Sequence, residues 1–211
     1  MLVVAPLLAL AWVLLLSGWL AVDRVVVVGQ SRLAVAQVQE AVAVPPGTPL
    51  ARVDTRAAAD RVARLAPVGE VQVLRSWPGT LRVELTERVP AAGVVGAGGV
   101  QLVDAEGVVF ATEPALPPGL VRLQVEEPGP RDAATRAALQ VHGDLPSSLR
   151  NRVKSVQAES PASVVLLLAD DRKVVWGSPG DTETKAAATE ALLRMEGTVF
   201  DVSAPGVVVR S

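Results

Sequence analysis

The sequence contains no cysteine and no tyrosine, a single histidine, and only three lysines (Lys154, Lys173 and Lys185) among 20 basic residues. Without cysteine there is no disulfide framework, no thiolate nucleophile and no thiolate metal site. The compartment stays open, because a domain of this size can fold outside the cytoplasm on its core alone. One histidine rules out a two-histidine metal motif. His142 falls at the end of an expected helix, just before Gly143, where an imidazolium suits the helix dipole. No serine sits in a nucleophile-elbow pattern that it could serve. Neither sign of charge dominates: 20 Lys+Arg against 22 Asp+Glu give a net charge of −2. The concentrated basic face of a nucleic-acid binder is therefore missing.

Long stretches without charge are also scarce, with one exception. Leu2 to Val22 is an unbroken apolar run closed by Asp23 and Arg24. As a helix it extends roughly 31 Å at about 1.5 Å per residue, the thickness of a hydrocarbon core. Residues 1–22 are expected to form a single transmembrane helix, with Trp19 at headgroup level and Pro6 and Gly18 tolerated in lipid. A cleaved signal peptide would need a basic start, a shorter apolar stretch and small residues before the cut. The run has no basic start, and Leu20-Ala21-Val22 is a poor cleavage site, so the reading favours an uncleaved anchor. Orientation is weakly marked, since Arg24 lies beyond the run and nothing basic precedes it.

After the run, Arg24 to Gly29 reads as a Val-rich strand. Val35, Val38 and Val42 then follow at helical spacing. Pro45-Pro46-Gly47 ends that helix, and Asp54 or Thr55 caps a second one whose stripe is Ala58, Val62 and Leu65. Val71 and Val73 alternate with polar residues up to a turn at Trp77-Pro78-Gly79, and Leu81, Val83 and Leu85 alternate after it. This strand-helix-helix-strand-strand unit, residues 23–88, can bury two helices on one face of a three-stranded sheet.

Residues 89–211 change to short strands broken by turns: Ala91 to Val95, Val100 to Asp104, Val108 to Ala111 and Val121 to Val125. A helix from Arg131 to His142 leads to strands at Val153 to Glu159, Ser163 to Leu168 and Lys173 to Trp176. Asp181 opens a last helix with Ala188, Ala191, Leu192 and Met195 on its apolar face. Thr198 to Val202 alternates again, and the chain closes on Val207-Val208-Val209-Arg210-Ser211. The expected class is α+β, the second domain being mixed and mostly antiparallel.

Several segments invite a functional reading and a plainer one. Gly93 to Gly99 resembles a phosphate-cradling loop, but no Lys-Ser/Thr follows and a strand comes next, which makes it a hairpin loop. Glu126-Glu127 and Asp170-Asp171 are paired acids that sit between strands, as solvated turns do. Trp77-Pro78-Gly79, with Arg75 before it, either supports the turn or offers an exposed aromatic to a partner. The C-terminal segment, with Val199, Phe200, Asp201 and Val202 followed by Val207, Val208 and Val209, is either paired inside the sheet, frayed, or an edge to which a partner adds a strand.

The order of these pieces resembles the bacterial cell-division family FtsQ, called DivIB in some bacteria. The resemblance is carried by Val25-Val26-Val27-Val28-Gly29, by Gly47 to Asp54, and by Val71 to Val83 with Arg75-Ser76-Trp77-Pro78-Gly79 at its centre. It continues through Thr86-Glu87-Arg88-Val89-Pro90, Leu102-Val103-Asp104 with Gly107 to Phe110, and Phe200-Asp201-Val202-Ser203-Ala204-Pro205. The sequence departs from the family pattern in having no charged tail before Leu2. The resemblance implies a POTRA domain at 23–88 and an FtsQ-type β domain at 89–211, held in the cytoplasmic membrane with the bulk outside. It also implies a non-enzymatic scaffold at the division septum, with no cofactor and no metal. Its implied partners are FtsB (DivIC) and FtsL at the distal edge strand, Val199 to Val202 and Val207 to Val209, with contacts to FtsK, FtsW and FtsI. A transport or outer-membrane assembly component, or an anchored hydrolase, is the alternative. Assembly components normally carry several POTRA units or a run of barrel strands, which this chain does not show.

Overall fold

The computed structural model describes residues 20–204 and 209–210. The chain divides into two compact units at Arg88/Val89.

In the first unit the Val-rich segment is β1 (Arg24–Val28), and the next helical pattern is α1 (Val35–Val42). A 3-10 turn (Leu50–Arg52) leads to α2 (Thr55–Val62), whose N-terminus is capped by Asp54 Oδ1 accepting from the Ala57 amide at 2.9 Å. β2 (Val68–Ser76) and β3 (Thr80–Glu87) form a hairpin across Trp77-Pro78-Gly79. The sheet order is β1-β3-β2, with β1 parallel to β3 and β2 antiparallel to it. Val38, Val42, Ala58 and Val62 from the helices meet Val73, Leu81, Val83 and Leu85 from the sheet in one core. Val35 of the expected stripe is exposed, and Leu65 lies beyond the end of α2 and is half-buried. Gly29 is required where it stands: its φ is +94°, and a Cβ there would lie 1.9 Å from the Leu85 carbonyl oxygen.

The expected boundary at 22 needs correction. Ala21 bridges to Pro49, and Val22 is buried in the core, its amide donating to Thr48 O at 2.8 Å. The last residues of the apolar run therefore belong to the folded unit. Hydropathy cannot separate the end of a span from a core segment that follows it directly. The rest of the expected span, residues 1–19, lies outside the described residues, among which no helix is long and apolar enough to cross a membrane.

The second unit holds β4 (Ala92–Gly96), β5 (Gly99–Val103), β6 (Val109–Glu113) and β7 (Val121–Gln124). Then come α3 (Ala133–Asp144), α4 (Ser147–Arg150), β8 (Val153–Ala158), β9 (Val164–Leu168) and β10 (Lys173–Gly177). α5 (Thr182–Leu192), β11 (Val199–Asp201) and β12 (Val209–Arg210) finish the chain. They build one sheet in the order β12-β11-β10-β9-β8-β7-β4-β5-β6. Five strand pairs are antiparallel and three are parallel. Trp176, Phe200, Leu166, Leu168 and Val156 are fully buried in its core beside Ala138 and Val141 of α3.

Two helix readings are corrected. Gly143 lies inside the last turn of α3, with Leu145 as the C-cap. The buried face of α5 is Lys185, Ala186, Thr189 and Leu192, continued by Leu193, whereas Ala191 and Met195 are exposed. Polar residues turn inward because they have partners there: Lys185 Nζ donates to Ser178 O at 2.8 Å and Thr189 Oγ1 to Lys185 O at 2.7 Å. Lys185 Nζ also lies 5.9 Å from the centre of the Trp176 ring. Burial lowers the pKa of this lysine, with partial relief from Asp181.

Candidate partner-binding edge

β11 is not the outermost strand. It lies between β10, to which it is parallel with Val174 opposite Phe200, and β12, to which it is antiparallel with Phe200 opposite Arg210 and Asp201 opposite Val209. Its position is fixed at both ends, by Lys173 N donating to Thr198 O at 2.8 Å and Val202 N to Val175 O at 3.0 Å. Period-2 alternation sends Phe200 inward, where none of its surface is exposed, and Val202 is also buried. Val199 and Asp201 are half-buried on the other face. Asp201 Oδ1 accepts the Ser203 amide at 2.9 Å, which turns the chain after the strand. Phe200 and Val202 are core residues, and their side chains are not available to a partner. Val207 and Val208 lie outside the described residues, and Val209 is placed by its backbone in β12.

The surroundings hold β11 firmly. The Arg172 guanidinium lies 5.9 Å from the centre of the Phe200 ring, donates to Leu193 O at 2.9 Å and pairs with Asp170 at 2.7 Å. Hydrogen bonding from Arg172 holds the Asp170 carboxyl below its ordinary pKa, despite the opposing effect of burial. β12 occupies one end of the sheet order, so the backbone groups on its far side have no strand to pair with among the described residues.

The other sequence candidates resolve individually. Arg75 is spent inside the first unit: Nε donates to Leu50 O at 3.0 Å and Nη2 to Val53 O at 2.6 Å, closing the end of the 3-10 turn. Pro78 follows Trp77 through a cis peptide bond, and the Trp77 indole stands 50% exposed instead of covering the sheet. Gly93 to Gly99 is the β4–β5 hairpin, with Gly96 opposite Gly99. Both acid pairs are in exposed turns. His142 is half-buried in the last turn of α3, where burial and the nearby Arg150 lower its pKa and favour the neutral ring over the expected imidazolium. Among the described residues, no three His, Cys, Asp or Glu side chains are grouped to hold a metal ion.

Sequence reasoning missed Glu87. This last residue of β3 accepts the successive amides of Ser31, Arg32 and Leu33 at 2.7, 2.9 and 2.9 Å and fastens the β1–α1 loop to the sheet. Nothing local announces this, because donors and acceptor are more than fifty residues apart in sequence.

A three-stranded sheet with two helices on one face, followed by a nine-stranded mixed sheet with the short strand β12 at one end of its order, defines a chain of two α+β units. Comparison with known proteins makes it specific. Residues 20–88 match the family "POTRA domain, FtsQ-type" and residues 93–205 match "Cell division protein FtsQ/DivIB, C-terminal". The chain is 42% identical over 193 residues to the cell division protein FtsQ of Mycobacteroides abscessus, covering 92% of this chain and 62% of that protein. It is 43% identical over 197 residues to FtsQ of Mycolicibacterium smegmatis, covering 93% and 59%. With FtsQ of Streptomyces bingchenggensis the identity is 43% over 204 residues, covering 92% and 77%. The chain thus spans about three fifths of the length of the two relatives named first. It belongs to the FtsQ/DivIB family of cell division proteins.

Proposed function

We propose that this chain is a membrane-anchored, non-enzymatic scaffold of the septum. In this reading Leu2 to about Trp19 crosses the cytoplasmic membrane once and both folded units lie outside it. The second unit binds FtsB/DivIC-type and FtsL-type bitopic proteins, the POTRA domain (residues 23–88) contributes to recruitment and to contacts such as FtsK, and FtsW and FtsI are further partners of the chain. Family membership supports the division role, and the observation that carries the docking site is β12. It is a two-residue strand at one end of the sheet order, paired among the described residues with β11 alone, opposite Phe200 and Asp201.

A partner segment adding next to β12 gains main-chain hydrogen bonds, while side chains on alternate positions set selectivity. Val207-Val208-Val209 is an apolar run, an aggregation hazard unless something covers it. Phe200 and Val202 act from below, by seating β11, and Val199 and Asp201 are the members of that strand whose side chains remain partly accessible.

The test is a pull-down of an FtsB–FtsL-type pair with the full chain in detergent, beside a melting curve for every variant. Val208→Pro removes a donor and deletion of Val207 to Ser211 removes the strand. Both weaken capture in protein that still melts cooperatively, the deletion with a lower melting temperature because β12 pairs with β11. Unchanged capture by both, in folded protein, would place the docking site elsewhere.

A further inference from the structure

We infer that the Trp77 end of the POTRA domain rests on the bilayer, with the indole of Trp77 in the headgroup layer. The inference depends on the reading of the apolar run as a membrane anchor. It begins from geometry. Val22, where that run ends, donates to Thr48 O at 2.8 Å and accepts from the Gly47 amide at 3.3 Å. The next two amides, of Asp23 and Arg24, both donate to Gly79 O, at 2.8 and 3.3 Å. Strand register agrees, since Arg24 at the start of β1 lies opposite Thr80, and Thr80 opposite Ser76. Thus the point where the chain leaves the apolar run, the Pro45 to Thr48 loop and the Trp77 turn occupy the same end of one rigid sheet.

Trp77 is two residues from Gly79, so its backbone lies within about 7 Å of the residue whose carbonyl accepts the Asp23 and Arg24 amides. Val26, Val28, Val35 and Leu74 are also exposed in this unit, but Trp77 is the largest of these apolar side chains and, at 50%, the most exposed of them. An indole is in place at a membrane interface, where the ring body contacts acyl chains and the N–H stays with water and headgroups. Next to Trp77, Pro46, Gly47, Pro78 and Gly79 line an open cleft of about 570 Å³, whose charged lining residues among the described ones are Asp23 and Arg24. These two face each other at 3.4 Å, which leaves that surface close to neutral. The recognised feature is accordingly the lipid interface itself, reached by partition of an aromatic ring, and not an anionic headgroup.

The experiment uses the full chain with Trp12→Phe and Trp19→Phe, reconstituted in phosphatidylcholine vesicles. The remaining indoles are Trp77 and Trp176, and Trp176 is fully buried and silent to both quenchers used. A Trp77→Ala sample defines the Trp77 share of the emission. The expected result is loss of that share when the lipid carries bromine on the upper acyl carbons, and protection of the same share from aqueous iodide. Quenching by iodide without quenching by bromolipid, in protein that carbonate leaves on the vesicles, overturns the inference alone and frees the indole for a protein partner. Release of the chain by carbonate overturns the anchor reading and the inference together.

Discussion

Phe200→Ala separates a core residue from a contact residue. Phe200 has no exposed surface, its ring lies beneath the Arg172 guanidinium, and a Cβ built on Gly197 would come within 3.0 Å of it. Both flanking strands hold β11 by its backbone, so the site has little freedom to collapse around the lost ring. Truncation should therefore reach the usual range for a buried phenylalanine, about 3–5 kcal/mol. At roughly 4 °C per kcal/mol for a domain of this size, the melting temperature of residues 89–211 falls by about 12–20 °C. Phe200→Leu retains most of the volume and costs about 1 kcal/mol. Asp201→Asn keeps a side-chain acceptor for the Ser203 amide and leaves the melt nearly unchanged. Scanning calorimetry on the three variants, with partner capture measured well below each transition, checks the reasoning. A Phe200→Ala protein that melts within about 2 °C of the parent would refute the packing described for β11, and the ring would then have to be assigned to the partner surface.

Leu81→Ala, at a fully buried position in the central strand of the first unit, should cost about 2–5 kcal/mol in denaturant unfolding of residues 20–88, against about 1–2 kcal/mol for half-buried Leu65→Ala. Equal losses would mean that Leu65 is core. Burial pushes the Glu87 carboxyl up, but hydrogen bonds from the Leu33, Ser31 and Arg32 amides and the Arg32 charge outweigh it, so its pKa is lowered. Its stabilising contribution is thus complete above the unfolded value of about 4.3 and is lost as the pH falls through the lower folded value. Glu87→Gln should speed hydrogen exchange at amides 31–33 about tenfold at neutral pH, an opening penalty reduced by about 1.4 kcal/mol. Identical exchange in the two proteins would show that the carboxylate does not hold the loop.

The first unit was legible because its signals are local. Val38 and Val42, Ala58 and Val62, and the alternating Leu81, Val83 and Leu85 all face the core as their spacing implies, and Asp54 caps its helix. The second unit shows where local signals stop. α4 has four residues and no periodicity to detect. In α5 the apolar residues mark a face other than the one that packs, because Lys185 and Thr189 are buried with hydrogen bonds that no hydropathy pattern encodes. Alternation at Phe200 and Val202 correctly indicates a strand with one buried face, but it carries no information on neighbours. Which strand lies outermost depends on Val209–Arg210 folding back against β11, and the pairing of β4 with β7 depends on packing across the whole sheet. Glu87 was hidden for the same reason, since its partners lie across the fold and not along the chain.

The parallel pairing of β1 with β3 also has a mechanical consequence. The chain enters this unit at the start of β1 and leaves it after the end of β3, and the five paired positions from Arg24↔Thr80 to Val28↔Glu84 run in the same direction. Tension applied between the two termini therefore pulls the strands past each other lengthwise, loading the ladder hydrogen bonds together instead of peeling them one at a time. The Glu87 clamp lies at the end of β3 where such a load is applied. A unit wired this way resists stretching better than one whose terminal strands form a hairpin, where the ladder bonds give way in succession.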